Sequence, residues 1–553
     1  SLPPNFMSPA PTKTNTLTAR CTRTWAHLIW PSLFALALYC VPLPQDHILT
    51  IHESVLPQTA RTMSYTSDWL IPRRDAIAPW LENPPLPQWI NTGLCSAIHS
   101  CEHAWVYRLA SALAGAIVVL LVTVMGARLF GREIGLISGF TMATSYELVR
   151  YATLAEDEVF LALTTAVAMT CFIFAEFPKT QSRRAEAPSR YNLRQSLIGV
   201  RPLPVIGFFA ATGVTNLTKG LIFGPMMVLI PVTCFLLLCL DGTRIKRYFW
   251  LWGALLFLAL GSWWPTVVAL RIPGAIDLWV YDLFGRASGE YAAMTEPFWY
   301  YAGALLQVTA PWFLIIPFAA LMTWRTALRD KGSPERFVWI WALSVPLVLS
   351  FLSGKHHHYL LHAVAPWAIL SALGLKECWA RLPTHAWAKK NAGVVLFSVL
   401  AGAYAIALST HKSVHHEDGI FLKKIARTLP GGPFLVDLSI PDHLKAFQIM
   451  FYLPYAHTQA LHNLSFLRGA NITSDTVYVI TENSRRSVIA QFGEVQILAQ
   501  SPKTGRQQSE GSLLTLFRLK YKEDLVRVST VDLTITPMQA MYRNPGPMLK
   551  PPG

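Results

Sequence analysis

The sequence predicts a polytopic α-helical membrane protein carrying a soluble α/β domain toward its C-terminal end, and three observations make that prediction. Charged residues are only 14% of the 553, where soluble domains have about 25%, while 52% are hydrophobic and the mean hydropathy is +0.34. The apolar residues come in runs of bilayer length: a crossing needs about 20 of them, and eleven runs begin near residues 24, 105, 135, 158, 202, 221, 249, 297, 337, 359 and 391. Finally, the loops between these runs alternate in charge. Segments 1–23, 127–134, 177–201, 241–248, 324–336 and 375–390 hold 22 Lys plus Arg against 6 acids, whereas 45–103, 151–158, 219–220, 272–296 and 354–358 hold 6 against 13. The first set reads as cytoplasmic and the second as outer. Disordered, collagen-like and disulfide-scaffold chains are excluded by 28 Phe, 19 Trp and 18 Tyr in long apolar runs. The net charge of +15 therefore speaks to topology rather than to nucleic acid.

The elements follow in order. The stretch before Trp25 has no Asp or Glu and looks like a signal n-region. The apolar run to Cys40 nevertheless lacks a small-residue cleavage site and ends in Pro42 and Pro44, so it is expected to remain as the first span. The outer loop 45–103 is long, and its Thr59–Trp69 and Ala76–Ile90 portions read as amphipathic or interfacial helices. The transmembrane region is expected over 1–410. Beyond it, 434–438, 476–480 and 513–517 alternate as short strands between helical stretches, which predicts an outer α/β domain over 411–536. The Pro- and Met-rich tail 537–553 is expected to be disordered. Of 8 cysteines only Cys95 and Cys101 share an outer loop, where a bridge and two free thiols are both open. Cys171, Cys234 and Cys239 fall inside spans and read as small packing residues.

Ionisable groups at membrane depth are costly, so their positions mark candidate sites. Four clusters fall on the outer side: His52-Glu53, Glu82-Asn83-Pro84-Pro85, Glu156-Asp157-Glu158 and Lys355-His356-His357-His358-Tyr359. Lys219 joins them, as does Arg286 with Tyr281, Asp282, Glu290 and Tyr291. A carboxylate can take a proton from an incoming hydroxyl, and Lys, Arg or imidazolium can stabilise charge on a departing phosphate. Loop carboxylates are usually only solvated, which is the plain reading of Asp157 and Asp282 taken singly. Glu53 and Glu158 sit at the mouths of apolar spans, where exposure to lipid is expensive. Three consecutive histidines invite a metal, but neighbours on a helix point about 100° apart. At most two could share an ion, and contact with a phosphate or headgroup is the better reading. A divalent metal is therefore possible but not indicated, and no cofactor is certain from the sequence. Trp263-Trp264, Trp299-Tyr300-Tyr301 and Trp312 read as interface anchors.

In this order and on one face, the motifs resemble the membrane glycosyltransferases of GT-C fold that use polyprenyl-phosphate sugars, in the branch of the aminoarabinose transferases and protein O-mannosyltransferases. The similarity runs from about residue 25 to 375. It rests on His52-Glu53 followed by Ser67-Asp68-Trp69-Leu70-Ile71-Pro72, on Glu82-Asn83-Pro84-Pro85, and on Ala155-Glu156-Asp157-Glu158. Leu217-Thr218-Lys219-Gly220 and Ser353-Gly354-Lys355 with Tyr359-Leu360-Leu361 complete it. The resemblance implies inverting transfer from an undecaprenyl-phosphate-type donor to a lipid, glycan or protein acceptor, at the outer face of a bacterial inner membrane. It implies Glu53 as general base, with His52, Glu156 and Glu158 beside it. Lys355, Lys219, Arg286, Glu82, Tyr359, His357 and His358 would hold the donor. Three positions depart from the family pattern: His52 replaces a leading Asp, Asn83 a Lys, and Glu158 an Asp. Such an enzyme needs no nucleotide loop, and the sequence has none. A flippase or transporter for lipid-linked or anionic substrates is the rival from another class, but it predicts paired half-repeats and mid-helix charges that are not evident. A scaffold protein would leave the acidic loops and Lys219/Lys355 unexplained.

Overall fold

Apolar runs without a water partner must satisfy their backbone internally, which in a bilayer means helices. The computed structural model describes residues 26–45, 47–74, 79–178, 198–288, 296–381, 386–410, 416–428, 434–437, 444–453, 459–461, 476–491, 493–502 and 513–521. The predicted tail 537–553 lies outside them. From the N-terminal side the helices are α1 (Trp30–Tyr39), α2 (Val55–Thr66), α3 (Leu86–Ile98), α4 (Ala104–Phe130), α5 (Arg132–Ala143), α6 (Tyr146–Ala152) and α7 (Glu158–Glu176). They continue as α8 (Leu203–Thr215), α9 (Phe223–Cys239), α10 (Gly242–Tyr248), α11 (Leu251–Arg271), α12 (Ala275–Ser288), α13 (Tyr300–Val308) and α14 (Ile316–Arg329). Further on come α15 (Pro334–Ser350), α16 (Val364–Arg381), α17 (Ala386–Thr410), α18 (His416–Thr428) and α19 (Lys445–Tyr452), with a single helical turn at Arg486–Ile489.

Among the described residues, six helical stretches are long and apolar enough to cross a membrane: His27–Gln45, Ala104–Phe130, Glu158–Glu176, Leu251–Arg271, His357–Arg381 and Asn391–Thr410. Leu203–Thr215 and Phe223–Cys239 are shorter apolar helices. The runs expected near 135 and 297 are broken instead. Ser145 stands extended between α5 and α6, and a 3₁₀ turn preceded by Pro311 separates α13 from α14. Small residues bring α4 and α5 close together: a Cβ on Gly126 of α4 would sit 2.8 Å from the Ser138 hydroxyl, and one on Gly135 of α5 would meet the Thr123 carbonyl at 2.6 Å. Close approach of this kind is how helices associate without a hydrophobic drive. Phe172, Phe235, Phe337 and Trp341 fill the bundle between α7, α9 and α15.

The loop 45–103 folds as a cap. Its helices are α2 and α3, so the second starts at Leu86 rather than near Ala76; Pro84 and Pro85 explain the shift, because the residue before a proline is pushed out of helical geometry. Residues 75–78 lie outside the described set. Cys95 and Cys101 form a disulfide that closes the end of α3. Beyond α18 runs a five-stranded sheet of order β2-β1-β3-β5-β4, built from β1 (Phe434–Asp437), β2 (Gln459–Leu461), β3 (Thr476–Glu482), β4 (Gly493–Gln500) and β5 (Leu514–Tyr521). The β1 pairings are parallel, with Leu435 opposite Val479 in β3, while β5 is antiparallel to β3 and β4.

This sheet is tied to the cap through α19. Arg61 of α2 donates to the carbonyls of Met450 (2.7 Å) and Phe451 (2.8 Å) and lies over the Phe451 ring. The Leu49 amide donates to the Tyr452 hydroxyl, and Gln448 donates to the Leu49 carbonyl. Ile48, Leu49, Ala60, Tyr107 and Ala155 therefore share one apolar core with Leu422, Ile449 and Phe451. The cap and the α/β unit pack as one layer over the helix ends.

Candidate active site

Two acidic centres form under this layer. The first is Glu53, fully buried just before α2. Arg108, in the second turn of α4, grips it with two bonds, Nε to Oε1 at 2.8 Å and Nη2 to Oε2 at 3.1 Å. The amide of Thr50 donates to Oε2 (2.9 Å) and that of Ala155 to Oε1 (3.2 Å). An ionised carboxylate offers about four lone-pair positions, and all are taken. Burial alone would raise the Glu53 carboxyl, but the Arg108 charge and these bonds hold it below the usual carboxylate range. Glu53 thus stitches the start of the cap to α4 and to the loop before α7. The sequence expectation made Glu53 the general base; its carboxylate here accepts four hydrogen bonds. His52 beside it is exposed.

The second centre is the 156–158 loop. Glu158 opens α7 and Asp157 precedes it, so both sit at the positive end of the helix dipole. Lys219 reaches Glu158 from the turn between α8 and α9, where Gly220 adopts a positive φ. His358 Nε2 stands 3.8 Å from the same Glu158 oxygen, and Tyr359 lies close enough to Lys219 to act on its charge. Asn83 of the cap donates to Asp157 Oδ2 at 2.8 Å, whereas Asp157 Oδ1 is buried with no hydrogen-bond partner among the described residues. Burial, then the Glu158 charge and, against the pull of Lys219, that of Glu82 push the Asp157 carboxyl up to about 7. Glu156 is raised too, by burial and by Glu158 and Glu53. Lys219 is raised despite burial, chiefly by Glu158.

The structure therefore brings together Glu156, Asp157, Glu158, Lys219, Glu82, Asn83, His358 and Tyr359. Lys355, buried, donates to the Glu296 carbonyl at 2.9 Å. His357 turns to Glu147 of α6, with Nδ1 2.7 Å from Oε1. The backbone of Arg286 falls in α12, whose Tyr281 is exposed; its side chain, like Glu290 and Tyr291, lies outside the described residues. Among those described, no three His, Cys, Asp or Glu come together in a way that could hold a metal ion. The histidines diverge instead, toward Glu147 and Glu158, with His356 stacked on His358. Sequence reasoning missed Arg108, Glu147 and the role of Asn83. Arg108 and Glu147 each carried a signal, a charge inside a run taken as a span.

Known proteins resemble this chain in sequence and in fold. The profile of the dolichyl-phosphate-mannose-protein mannosyltransferase family matches residues 82–184, which include Asn83, Arg108, Glu147 and the 156–158 loop. The undecaprenyl phosphate-alpha-4-amino-4-deoxy-L-arabinose arabinosyl transferase of Aeromonas salmonicida is 27% identical over 399 residues, covering 70% of this chain and 67% of the relative. Among solved structures, ArnT from Cupriavidus metallidurans bound to undecaprenyl phosphate superposes with a TM-score of 0.68 at 16% identity, over 90% of this chain and 99% of that one. The Archaeoglobus fulgidus oligosaccharyltransferase gives 0.51 at 13% identity, over 84% and 69%. The class is thereby defined: a membrane glycosyltransferase of GT-C fold. The chain's sequence is similar to that of the aminoarabinose transferases and, over residues 82–184, to the protein mannosyltransferase family.

Proposed function

We propose that the protein transfers a sugar, with inversion, from a polyprenyl-phosphate donor of the undecaprenyl type to an acceptor at the outer face of a bacterial inner membrane. The observation that carries this reading is the asymmetry of the second acidic centre. One buried carboxylate, Asp157, has a free oxygen and a near-neutral pKa, and it stands beside an ion pair, Glu158–Lys219, that borders the histidine segment. A base works best when its pKa lies near the working pH, so Asp157 takes the acceptor hydroxyl proton. Lys219, held in place by Glu158, faces the donor phosphate with His358 and Tyr359 beside it, and Lys355, His357 and Arg286 are the further donor contacts that the sequence resemblance implies. Glu53 and Arg108 hold the frame, and Glu82 and Asn83 bring the cap down on Asp157. The acceptor is a lipid, a glycan or a protein.

An apolar groove of about 600 Å³ supports the lipid nature of the donor. It runs between α9 and α11 and is lined by Pro225, Met226, Leu229, Ile230, Phe257 and Leu258, with Asn216 and Ile222 at the end next to the Lys219 turn. In the topology we favour, eleven crossings place the acidic loops, the cap and the α/β unit of 411–536 outside, in keeping with the charge bias of the loops.

The test is a transfer assay with purified protein in lipid, given radiolabelled sugar on undecaprenyl phosphate and a panel of lipid, glycan and peptide acceptors. Sugar transfer or donor hydrolysis that is lost in Asp157→Asn is the expected result. Saturable lipid-phosphate binding without turnover on any donor would favour a flippase instead.

A further inference from the structure

We infer that His357, held by Glu147, is the general acid for the departing phosphate; this rests on the transfer reading above. Glu147 sits on α6 with its side chain fully buried, and His357 begins the 3₁₀ segment His357–Ala363. A carboxylate only accepts, so the 2.7 Å contact fixes the hydrogen on Nδ1 and leaves Nε2 as the working nitrogen. The imidazole is about a quarter exposed, while its partner is sealed off. Glu147 Oε2 has no hydrogen-bond partner among the described residues, so the carboxylate's bonding is committed to the histidine. The groups facing the pair are Tyr151 and Arg150 on α6, Tyr300 of α13, and His356 and His358 on the same segment; Glu158 faces His358.

The reaction supplies the reason for such a pair. The donor phosphodiester carries one negative charge. When the bond from the anomeric carbon to the phosphate oxygen breaks, its electron pair goes to that oxygen and the leaving group becomes a monoester with a second charge. As the acceptor oxygen bonds to the anomeric carbon, its proton passes to Asp157. The Nε2 proton of the His357 imidazolium passes to the phosphate oxygen, and the product leaves as a monoanion. Return of the Asp157 proton to His357 through water resets the site, so protons balance over one turnover. Imidazole titrates in the same range as the second ionisation of a phosphate monoester, about pH 6, and matched groups exchange a proton at low cost. His357 thus acts as the catalytic acid and Glu147 as its positioning residue. This gives the site two proton-handling ends, joined through His358 and Glu158.

The test is steady-state transfer by His357→Ala, His357→Gln and Glu147→Gln beside wild type, with and without added imidazoles of graded pKa. His357→Ala should lower kcat about a hundredfold with little change in donor KM, and imidazole should restore part of the rate in proportion to its acidity. Glu147→Gln should lower kcat about tenfold or more and move the alkaline limb of the pH–rate profile to lower pH, since the imidazolium loses its carboxylate. His357→Gln keeps a donor toward Glu147, so a folding failure of the alanine variant leaves the test standing. The inference is overturned if the His357 variants turn over like wild type. It is equally overturned if they lose activity without imidazole rescue while Glu147→Gln keeps the wild-type rate and profile, which is the behaviour of a structural tie. Wild type that transfers sugar from no polyprenyl donor would instead sink the transfer reading, and this inference with it.

Discussion

Glu53 and Asp157 are both buried carboxylates in the same layer, but their surroundings are opposite. Glu53 is met by four donors, two of them on a guanidinium, and its carboxyl is held low. Asp157 keeps one amide donor, has an unpartnered oxygen and is pushed up to about 7. The contrast teaches that depth in the protein does not mark a catalytic acid or base; incomplete solvation of the charged form does. A saturated carboxylate is a fastener, and an underpaired one costs stability that only function repays.

The largest effect should come from the underpaired centre. Asp157→Asn is expected to lower kcat by about 10² to 10⁴, the range of a single general base, without loss of folded protein. A wild-type rate in Asp157→Asn with a dead Glu53→Gln would invert the comparison. The same variant tests the pH sign. Because the folded pKa of Asp157 lies above its ordinary value of 3.8, the native state holds a proton that the unfolded chain has released between about pH 4 and pH 7. This group's contribution to stability therefore falls as pH rises through that window, while turnover by the ionised base rises toward and past pH 7. Thermal unfolding across pH should show the fall in wild type and not in Asp157→Asn.

The fastener should behave the other way. Arg108→Met leaves the Glu53 charge buried and unpaired, at a cost of about 3 to 5 kcal/mol. Glu53→Gln with Arg108→Met should recover part of that loss, since no bare charge remains. Glu53, held low, contributes stability that is present above its ordinary pKa of 4.5 and is lost as pH falls through its folded value. That acid-side loss should be missing in Arg108→Met. Denaturation of detergent-solubilised protein from pH 3 to 7 measures both. An Arg108→Met variant as stable as wild type would show that the pair is not a fastener.

How far the sequence carried this contrast depends on the scale of the interaction. The helical class, the strands at 434, 476 and 514 and the gathering of acids and cations on one layer were legible, because hydropathy period and loop charge are local properties. β4 was not read, although Glu494-Val495-Gln496-Ile497 alternates polar and apolar residues as a half-exposed edge strand does; the exposed Leu498, at the register shift between Ile497 and Ala499, then breaks the alternation. The broken helices at 132–152 and 300–329 were read through as continuous spans, because the turns that break them depend on packing. Within the site, Glu53 and Asp157 look alike along the chain. Only the arrival of Arg108, 55 residues on, and of the Ala155 amide, 102 residues on, separates fastener from base. Such pairings are decided by the fold. His357 was read as a phosphate contact, but its orientation depended on Glu147, 210 residues away.

The smallest expected effect sharpens the comparison at a third place, where the cap is fastened without touching either centre. The Cys95–Cys101 bridge closes a loop of sequence separation 6, for which closure entropy gives about 2 kcal/mol. Glu102, next to it, pairs with Arg61 at 3.2 Å, and Arg61 in turn holds the Met450 and Phe451 carbonyls. The bridge therefore stiffens the route by which the α/β unit grips the cap, and it lies outside the proton-handling groups. Cys95→Ser with Cys101→Ser should lower the unfolding temperature modestly and leave kcat and its pH profile at wild-type values. A shift in the profile would mean that the cap sets the Asn83–Asp157 contact through this loop. Fastener and base would then be one coupled device rather than two separate solutions to burying a carboxylate.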